Sequence, residues 1–176
     1  MDHTGFTVLK IALTGHSSGF GPYIQCKLQE LNHSVLGFSK RNGYDLSTQQ
    51  GRNAAISQSS QCDIFINNST INGCQGEFLE QWLNEYKFHN KTIINISSYL
   101  DRIDNPADFC KEEWINKKKL VQIHSDFKNN KDSETQCQSK ILSWGYWNNH
   151  PFTKYHPELT TQTTIEQALE DIISLL

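Results

Sequence analysis

The sequence predicts an α/β fold in which a doubly wound, mainly parallel sheet of about six strands carries helices on both faces. Short continuous apolar runs alternate along the chain with segments of helical periodicity, the pattern of strands linked by crossover helices. The runs are rich in β-branched residues and end at glycine or polar turns, as strands buried on both faces require. The first run stops at a glycine-rich turn that opens a helix. A chain of 176 residues suits one such sheet, so residues 1–176 are read as a single domain.

Residues 8–14 (VLKIALT) form the first predicted strand, which stops at Gly15. From Pro22 onward Ile24, Leu28 and Leu31 recur at helical spacing, with proline near the first helical position, where its missing N–H costs nothing. Residues 34–39 (SVLGFS) read as a strand, 48–59 as a short helix and 63–67 (DIFIN) as a buried strand. Phe78, Leu79, Trp82, Leu83 and Tyr86 make 77–88 helical, and 91–97 (KTIINIS) is the next strand. A longer helix is expected over 107–127, a surface loop over 128–139, a strand over 140–144 and an amphipathic helix over 163–175 through Ile165, Leu169 and Ile172. In such a sheet ligands bind outside the carboxyl ends of the strands, which directs attention to the loops after Thr14, Ser39, Asn67, Ser97 and Trp144.

Composition narrows the function classes. A net charge of -3 provides no broad basic field for nucleic acid or an anionic membrane, and Lys117, Lys118 and Lys119 read as a local, solvated helix face. No stretch approaches the ~20 apolar residues of a membrane span, and Met1-Asp2-His3-Thr4 lacks the pattern of a signal peptide, so a cytoplasmic protein is expected. Cys26, Cys62, Cys74, Cys110 and Cys137 are widely spaced without a CxxC pair, which predicts reduced thiols and no metal site.

The turn after the first strand reads Thr14-Gly15-His16-Ser17-Ser18-Gly19-Phe20-Gly21. Glycines let the backbone turn sharply and approach a pyrophosphate closely, while the N–H groups opening the next helix face the anion. Between a strand and a helix this pattern points to a dinucleotide, with Gly15, Ser17, Ser18, Gly19, Phe20 and Gly21 as candidate contacts; a merely structural turn is the alternative. His16 lies in the same turn as a candidate phosphate donor.

Further motifs follow in order: Asp45-Leu46, Asn67-Asn68-Ser69-Thr70, Ile96-Ser97-Ser98 and Trp144-Gly145. Together with the glycine turn they resemble the fingerprints of the short-chain dehydrogenase/reductase family over nearly the whole chain. The resemblance implies a Rossmann-like fold and a nicotinamide dinucleotide. It places Asp45 and Leu46 at the adenine ring, Asn67 and Asn68 beside the cofactor, and Gly145 in the turn after a late strand. The region 67–97 is shorter than the family usually has, so the family's backbone-kink asparagine cannot be assigned, and its final strand and substrate extension are not recognisable. The resemblance is therefore to a truncated member with an open substrate side.

Charge selects between the two dinucleotides. An NAD site places Asp or Glu about 20 residues past the glycines to bind the ribose 2′-hydroxyl. Here the second strand ends Ser39-Lys40-Arg41, with no acid. Lys40 and Arg41 can form charge-assisted hydrogen bonds to a 2′-phosphate, with Ser39 adding a donor, so NADP is favoured over NAD. A solvent-exposed basic turn is the alternative.

For catalysis, the resemblance implies a serine that hydrogen-bonds the substrate carbonyl, a tyrosine general acid/base, and a lysine four residues later that binds the nicotinamide ribose. Ser98 matches the serine, Lys118 the lysine, and Trp114 stands at the tyrosine position. An indole N–H only donates and does not titrate in the usable range, so Trp114 cannot relay a proton as a phenol does. Other readings stay open: Ser98 as a strand-end hydroxyl, any of Lys117 to Lys119 as the lysine, and Trp114 as a packed aromatic. Tyr99 is the nearby phenol, but it should point away from Ser98 if the strand continues.

Two functions are carried forward. One is an NADP(H)-dependent oxidoreductase moving hydride to or from a small carbonyl or alcohol. The other is a catalytically inactive dinucleotide-binding sensor or partner protein. The resemblance also implies a homodimer through the helix 107–127.

Overall fold

Ile11, Ala12 and Leu13 are fully buried, and the strand they form sits inside a parallel sheet. A computed structural model describes residues 7–70, 73–104, 106, 108–144 and 163–176. In chain order the main elements are β1 (Lys10–Thr14), α1 (Gly21–Glu30), β2 (Ser34–Phe38), α2 (Gln49–Gln58), β3 (Ile64–Asn67), α3 (Cys74–Tyr86), β4 (Thr92–Ser98), α4 (Lys111–Asn129), β5 (Gln138–Trp144) and α5 (Ile165–Ile173). The described residues thus hold five strands where about six are expected, in the order β2-β1-β3-β4-β5, and every neighbouring pair is parallel.

Alternation along the strands divides the core into two layers. Ala12, Phe38, Phe65 and Ile93 face α2, α3 and α4, meeting Ala55, Phe78, Trp82 and Leu120. Ile11, Leu13, Ile64, Ile66, Ile94 and Ile96 face the opposite way, onto Ile24 and Leu28 of α1 and Ala168 and Ile172 of α5. Burying each such aliphatic side chain contributes about 1.5–3 kcal/mol before ordering entropy is set against it. Helices on both faces follow from central strands with apolar runs that face both ways, such as Ile11–Leu13 and Ile64–Ile66.

Element boundaries shift in ways with local causes. Helix α3 starts at Cys74 rather than 77, because the preceding Gly73 takes a positive φ of 68° and Cys74 and Gln75 are already buried. Helix α4 starts at Lys111 rather than 107, behind a short 3-10 turn at Asp108–Cys110, and runs on to Asn129. The stretch expected as a surface loop is shortened at both ends and tied down between them. Thr135 and Cys137 are buried, and Lys87 pairs with Asp132 at 2.8 Å.

Register aligns the carboxyl ends of the strands along one edge. Thr14 lies beside Phe38, Asn67 beside Asn95, and Ser98 beside Trp144. Among the described residues no helix is long and apolar enough to cross a membrane.

Candidate functional site

Thr14, at the end of β1, holds this edge together. Its Oγ1 accepts from the backbone N–H of Asn68 at 2.9 Å and of Ser69 at 3.0 Å, while Asn68 Nδ2 donates to the Thr14 carbonyl at 3.2 Å. The loop after β3 is therefore fastened to the start of the glycine turn. Thr14→Val leaves two N–H groups beside a fully buried position without an acceptor. A loss of about 2–4 kcal/mol of unfolding free energy is expected in urea melts, against no change if water replaces the hydroxyl.

The turn itself is built on backbone geometry. Gly15 and Gly19 have positive φ of 68° and 58°, the Gly15 N–H donates to the Phe38 carbonyl at 2.8 Å, and that of Gly21 donates to Ser18 at 3.2 Å. A Cβ on Gly21 would run into the Gly15 carbonyl, whereas one on Gly19 would enter open space. The segment is closed beneath and open above, which suits a pyrophosphate on the helix N-terminus. His16 does not contribute in the way its sequence position suggests. Its ring packs so tightly on Gly37 that a Cβ there would strike it, and its Nδ1 is buried without a hydrogen-bond partner.

A cleft of about 530 Å³ opens over this turn and runs along the strand ends, within the ordinary size range of small-molecule sites. Of the glycine-turn candidates, Gly15, Ser17, Ser18, Gly19 and Phe20 line it; Gly21 lies below. At the β2 end Ser39, Lys40, Arg41 and Leu46 line it. Arg41 Nη1 donates to the Ser17 carbonyl at 3.2 Å, which lays the guanidinium beside the turn. Lys40 pairs with Asp45 at 3.1 Å. The Ser47 hydroxyl and then Lys40 hold the Asp45 carboxyl below its usual range, and Asp45 itself stands outside the lining. Asn68 lines the cleft, but Asn67 is buried within the sheet, donating to the Gln75 carbonyl and to Asn95 Oδ1, each at 3.0 Å. Gly145 lies outside the described residues.

At the β4 end the cleft meets Ser97, Ser98, Trp144, Glu113 and Lys117. Ser98 Oγ accepts from the Leu100 N–H at 3.4 Å, and Ser97 Oγ donates to Asp101 Oδ2 at 2.7 Å. The inward face of α4 is set by Lys117, Leu120 and His124, spaced three and four apart. That phase turns Lys117 into the cleft and carries Lys118 aside, where its ammonium stands 5.7 Å from the Trp114 ring centroid. Trp114 donates from Nε1 to the Ile103 carbonyl at 2.7 Å, and neither Trp114 nor Lys118 lines the cleft. The residue one turn before the cleft lysine is Glu113.

Lys117 is 3% exposed. Its Nζ donates to Gln75 Oε1 at 2.8 Å and to the Ile96 carbonyl at 3.1 Å, while Gln75 Nε2 is fixed by the carbonyls of Asn67 and Ile96. Burial lowers the Lys117 pKa to about 8, against the opposing charges of Glu113 and Asp101. The sequence matches the lysine to Lys118 and keeps Lys117 as an open alternative, whereas Glu113 and Gln75 are not among its candidates. The helical phase of Leu120 and Phe127 is the signal that separates Lys117 from Lys118 and points to Glu113.

No protein-family model matches the chain, and no curated protein matches it. Solved structures do. A short-chain dehydrogenase from Streptomyces avermitilis is 13% identical at a TM-score of 0.70, over 96% of this chain and 84% of that one. A short-chain dehydrogenase from Burkholderia cenocepacia J2315, in complex with NADP, is 12% identical at 0.65, over 93% and 81%. The NADH-dependent reductase A1-R′, responsible for alginate metabolism, is 14% identical at 0.67, over 95% and 88%. At such identities the likeness shows the fold: the chain has the Rossmann-like architecture of short-chain dehydrogenases.

Proposed function

We propose that the chain binds NADP(H) along the strand-end cleft, with the pyrophosphate on the turn from Gly15 to Gly21. The observation that carries this reading is the open glycine turn with Arg41 lying beside it and no carboxylate lining the β2 end of the cleft. Arg41 and Lys40 would hold the 2′-phosphate, Ser39 would add a hydroxyl, and Leu46 an apolar surface for adenine. Solved structures of the same fold with NADP or NAD bound support a nicotinamide dinucleotide in general; the choice of NADP rests on Arg41 and Lys40.

Fluorescence titration with NADPH and NADH tests it, and tighter binding of NADPH is expected. Arg41→Ala should weaken NADPH by about tenfold to a hundredfold, the worth of a charge-assisted bond, and leave NADH nearly unchanged. Failure to bind either dinucleotide would end the reading.

A second reading, hydride transfer to or from a small carbonyl or alcohol, is favoured by Ser98 and Lys117 lining the same end of the cleft. NADPH supplies the hydride when bound. Ser98 would orient the substrate oxygen and Lys117 would hold the nicotinamide ribose, with no phenol beside them on α4. A homodimer through α4 belongs to the same reading, and Ile115 on that helix is 51% exposed. A sensor or partner protein that binds without turnover needs only the first reading.

A further inference from the structure

We propose that Lys117 is a nucleophile, whose amine captures a small aldehyde or ketone as an imine at the β4 end of the cleft. The inference goes beyond the dinucleotide reading and does not rest on it, because the reaction needs no cofactor.

Gln75 fixes the geometry. It is buried, and its Nε2 donates to the carbonyls of Asn67 at 2.6 Å and Ile96 at 2.7 Å. Carbonyls only accept, so these two contacts settle which end of the side chain is nitrogen, and Oε1 is the atom that faces Lys117. A neutral amine carries two hydrogens and one lone pair. On Lys117 the hydrogens go to Gln75 Oε1 at 2.8 Å and the Ile96 carbonyl at 3.1 Å. The lone pair is left for the remaining direction around the nitrogen, and Lys117 lines the cleft. Ile96 and Trp144 give that end an apolar wall. Ser98 lines it as well; its Oγ accepts from the Leu100 N–H at 3.4 Å, and its O–H can donate to a carbonyl oxygen.

Burial makes the neutral amine available near neutral pH, because a desolvated ammonium loses its proton more readily and the pKa falls to about 8. Glu113, one turn back on α4, and Asp101 oppose that shift and are outweighed. Asp101 is itself engaged, accepting from the hydroxyls of Ser97 and Ser143 and lying 3.8 Å from Arg102. On the neighbouring α3 the contacting group, Gln75, is neutral, and Glu77 pairs with Arg52 and Lys119. At about pH 7.5 roughly a quarter of Lys117 is free amine, against about one part in a thousand of an ordinary lysine. In the reaction the Nζ lone pair bonds to the carbonyl carbon. The carbonyl oxygen then leaves as water with both amine hydrogens, and a C=N double bond remains. Nothing is oxidised or reduced. An imine is less basic than the amine it comes from, so its formation removes the charge that burial penalises. The protonated fraction keeps one N–H, which Gln75 Oε1 accepts.

The test is reductive alkylation of the full chain with propanal and excess cyanoborohydride, without dinucleotide, at about pH 7.5. The borohydride reduces each imine to a stable secondary amine, and peptide mass mapping locates it. Lys117 should be modified at least about tenfold faster than exposed lysines such as Lys40, Lys111 and Lys128. By about pH 10 the exposed lysines have gained free amine as well, so that advantage should shrink by at least about tenfold. Lys117→Met should leave only the slow reaction of the other lysines. Lys118→Met, at a residue outside the cleft lining, should keep the fast one. Equal rates in the wild type at about pH 7.5, or fast labelling of Lys118 or Lys119 in place of Lys117, overturn the proposal even if neither variant folds. An advantage that does not shrink as pH rises overturns it too, because a free amine would then not be its cause.

Discussion

Gly21→Ala is expected to cut NADPH affinity by at least about a hundredfold and to lower the unfolding free energy by about 1–3 kcal/mol. The added methyl group would meet the Gly15 carbonyl and the His16 backbone, which cannot swing aside as a flexible side chain can. Gly15 is itself held by its N–H to the Phe38 carbonyl, so the collision must push the glycine turn away from the sheet or α1 out of line. Overpacking a closed site costs that much in stability. A displacement of one ångström is also enough to misdirect the N–H groups that face a pyrophosphate. Urea melts and NADPH titration check both halves. Unaltered affinity in a folded variant would show that the anion does not rest on this turn.

Lys117→Met is expected to remove a pH dependence that the wild type carries. Burial lowers the folded pKa to about 8, from the ordinary lysine value of 10.5. Below about pH 8 the lysine is protonated in both states, and the cost of burying its charge is present in full. Between about 8 and 10.5 the unfolded chain binds more protons than the folded one, so this group makes stability rise with pH across that window. At about 1.4 kcal/mol per pKa unit the rise is on the order of 3 kcal/mol. Methionine has no such linkage. The stability of the wild type relative to Lys117→Met should therefore improve by roughly that amount from neutral pH to about pH 10.5 in paired urea melts, whatever other groups titrate in common. A flat difference would mean that Lys117 is better solvated than its 3% exposure implies. The same variant should bind NADPH at least about tenfold more weakly at neutral pH if Lys117 holds the nicotinamide ribose.

Different physics governs what could and could not be read along the chain. Strand runs such as residues 91–97 and helical runs such as Phe78, Leu79, Trp82 and Leu83 announce themselves, because burial on two faces or on one stripe imposes a pattern on consecutive residues. The glycine turn is legible for a related reason. Its conformation needs glycine at positive φ in Gly15 and Gly19, and close approach needs it at Gly21.

The far end of the cleft is different. Three consecutive lysines are interchangeable to a motif, and matching Ser98 to a lysine by spacing selects Lys118 as readily as Lys117. The choice belongs to the rotation of α4 about its axis, fixed when Leu120 enters the core layer that also holds Phe78 and Trp82. One residue along a helix is about 100° around it, enough to replace Trp114 and Lys118 in the cleft by Glu113 and Lys117. Gln75 is less visible still. Its contacts with Asn67, Ile96 and Lys117 tie α3 to three other elements, up to 42 residues away along the chain.

Sequence alone therefore determined the sheet, its helices and the glycine-rich turn, since each depends on residues that are neighbours along the chain. Tertiary packing decided which side chains the cleft contains at its β4 end, because that depends on the angle at which one helix lies against the sheet.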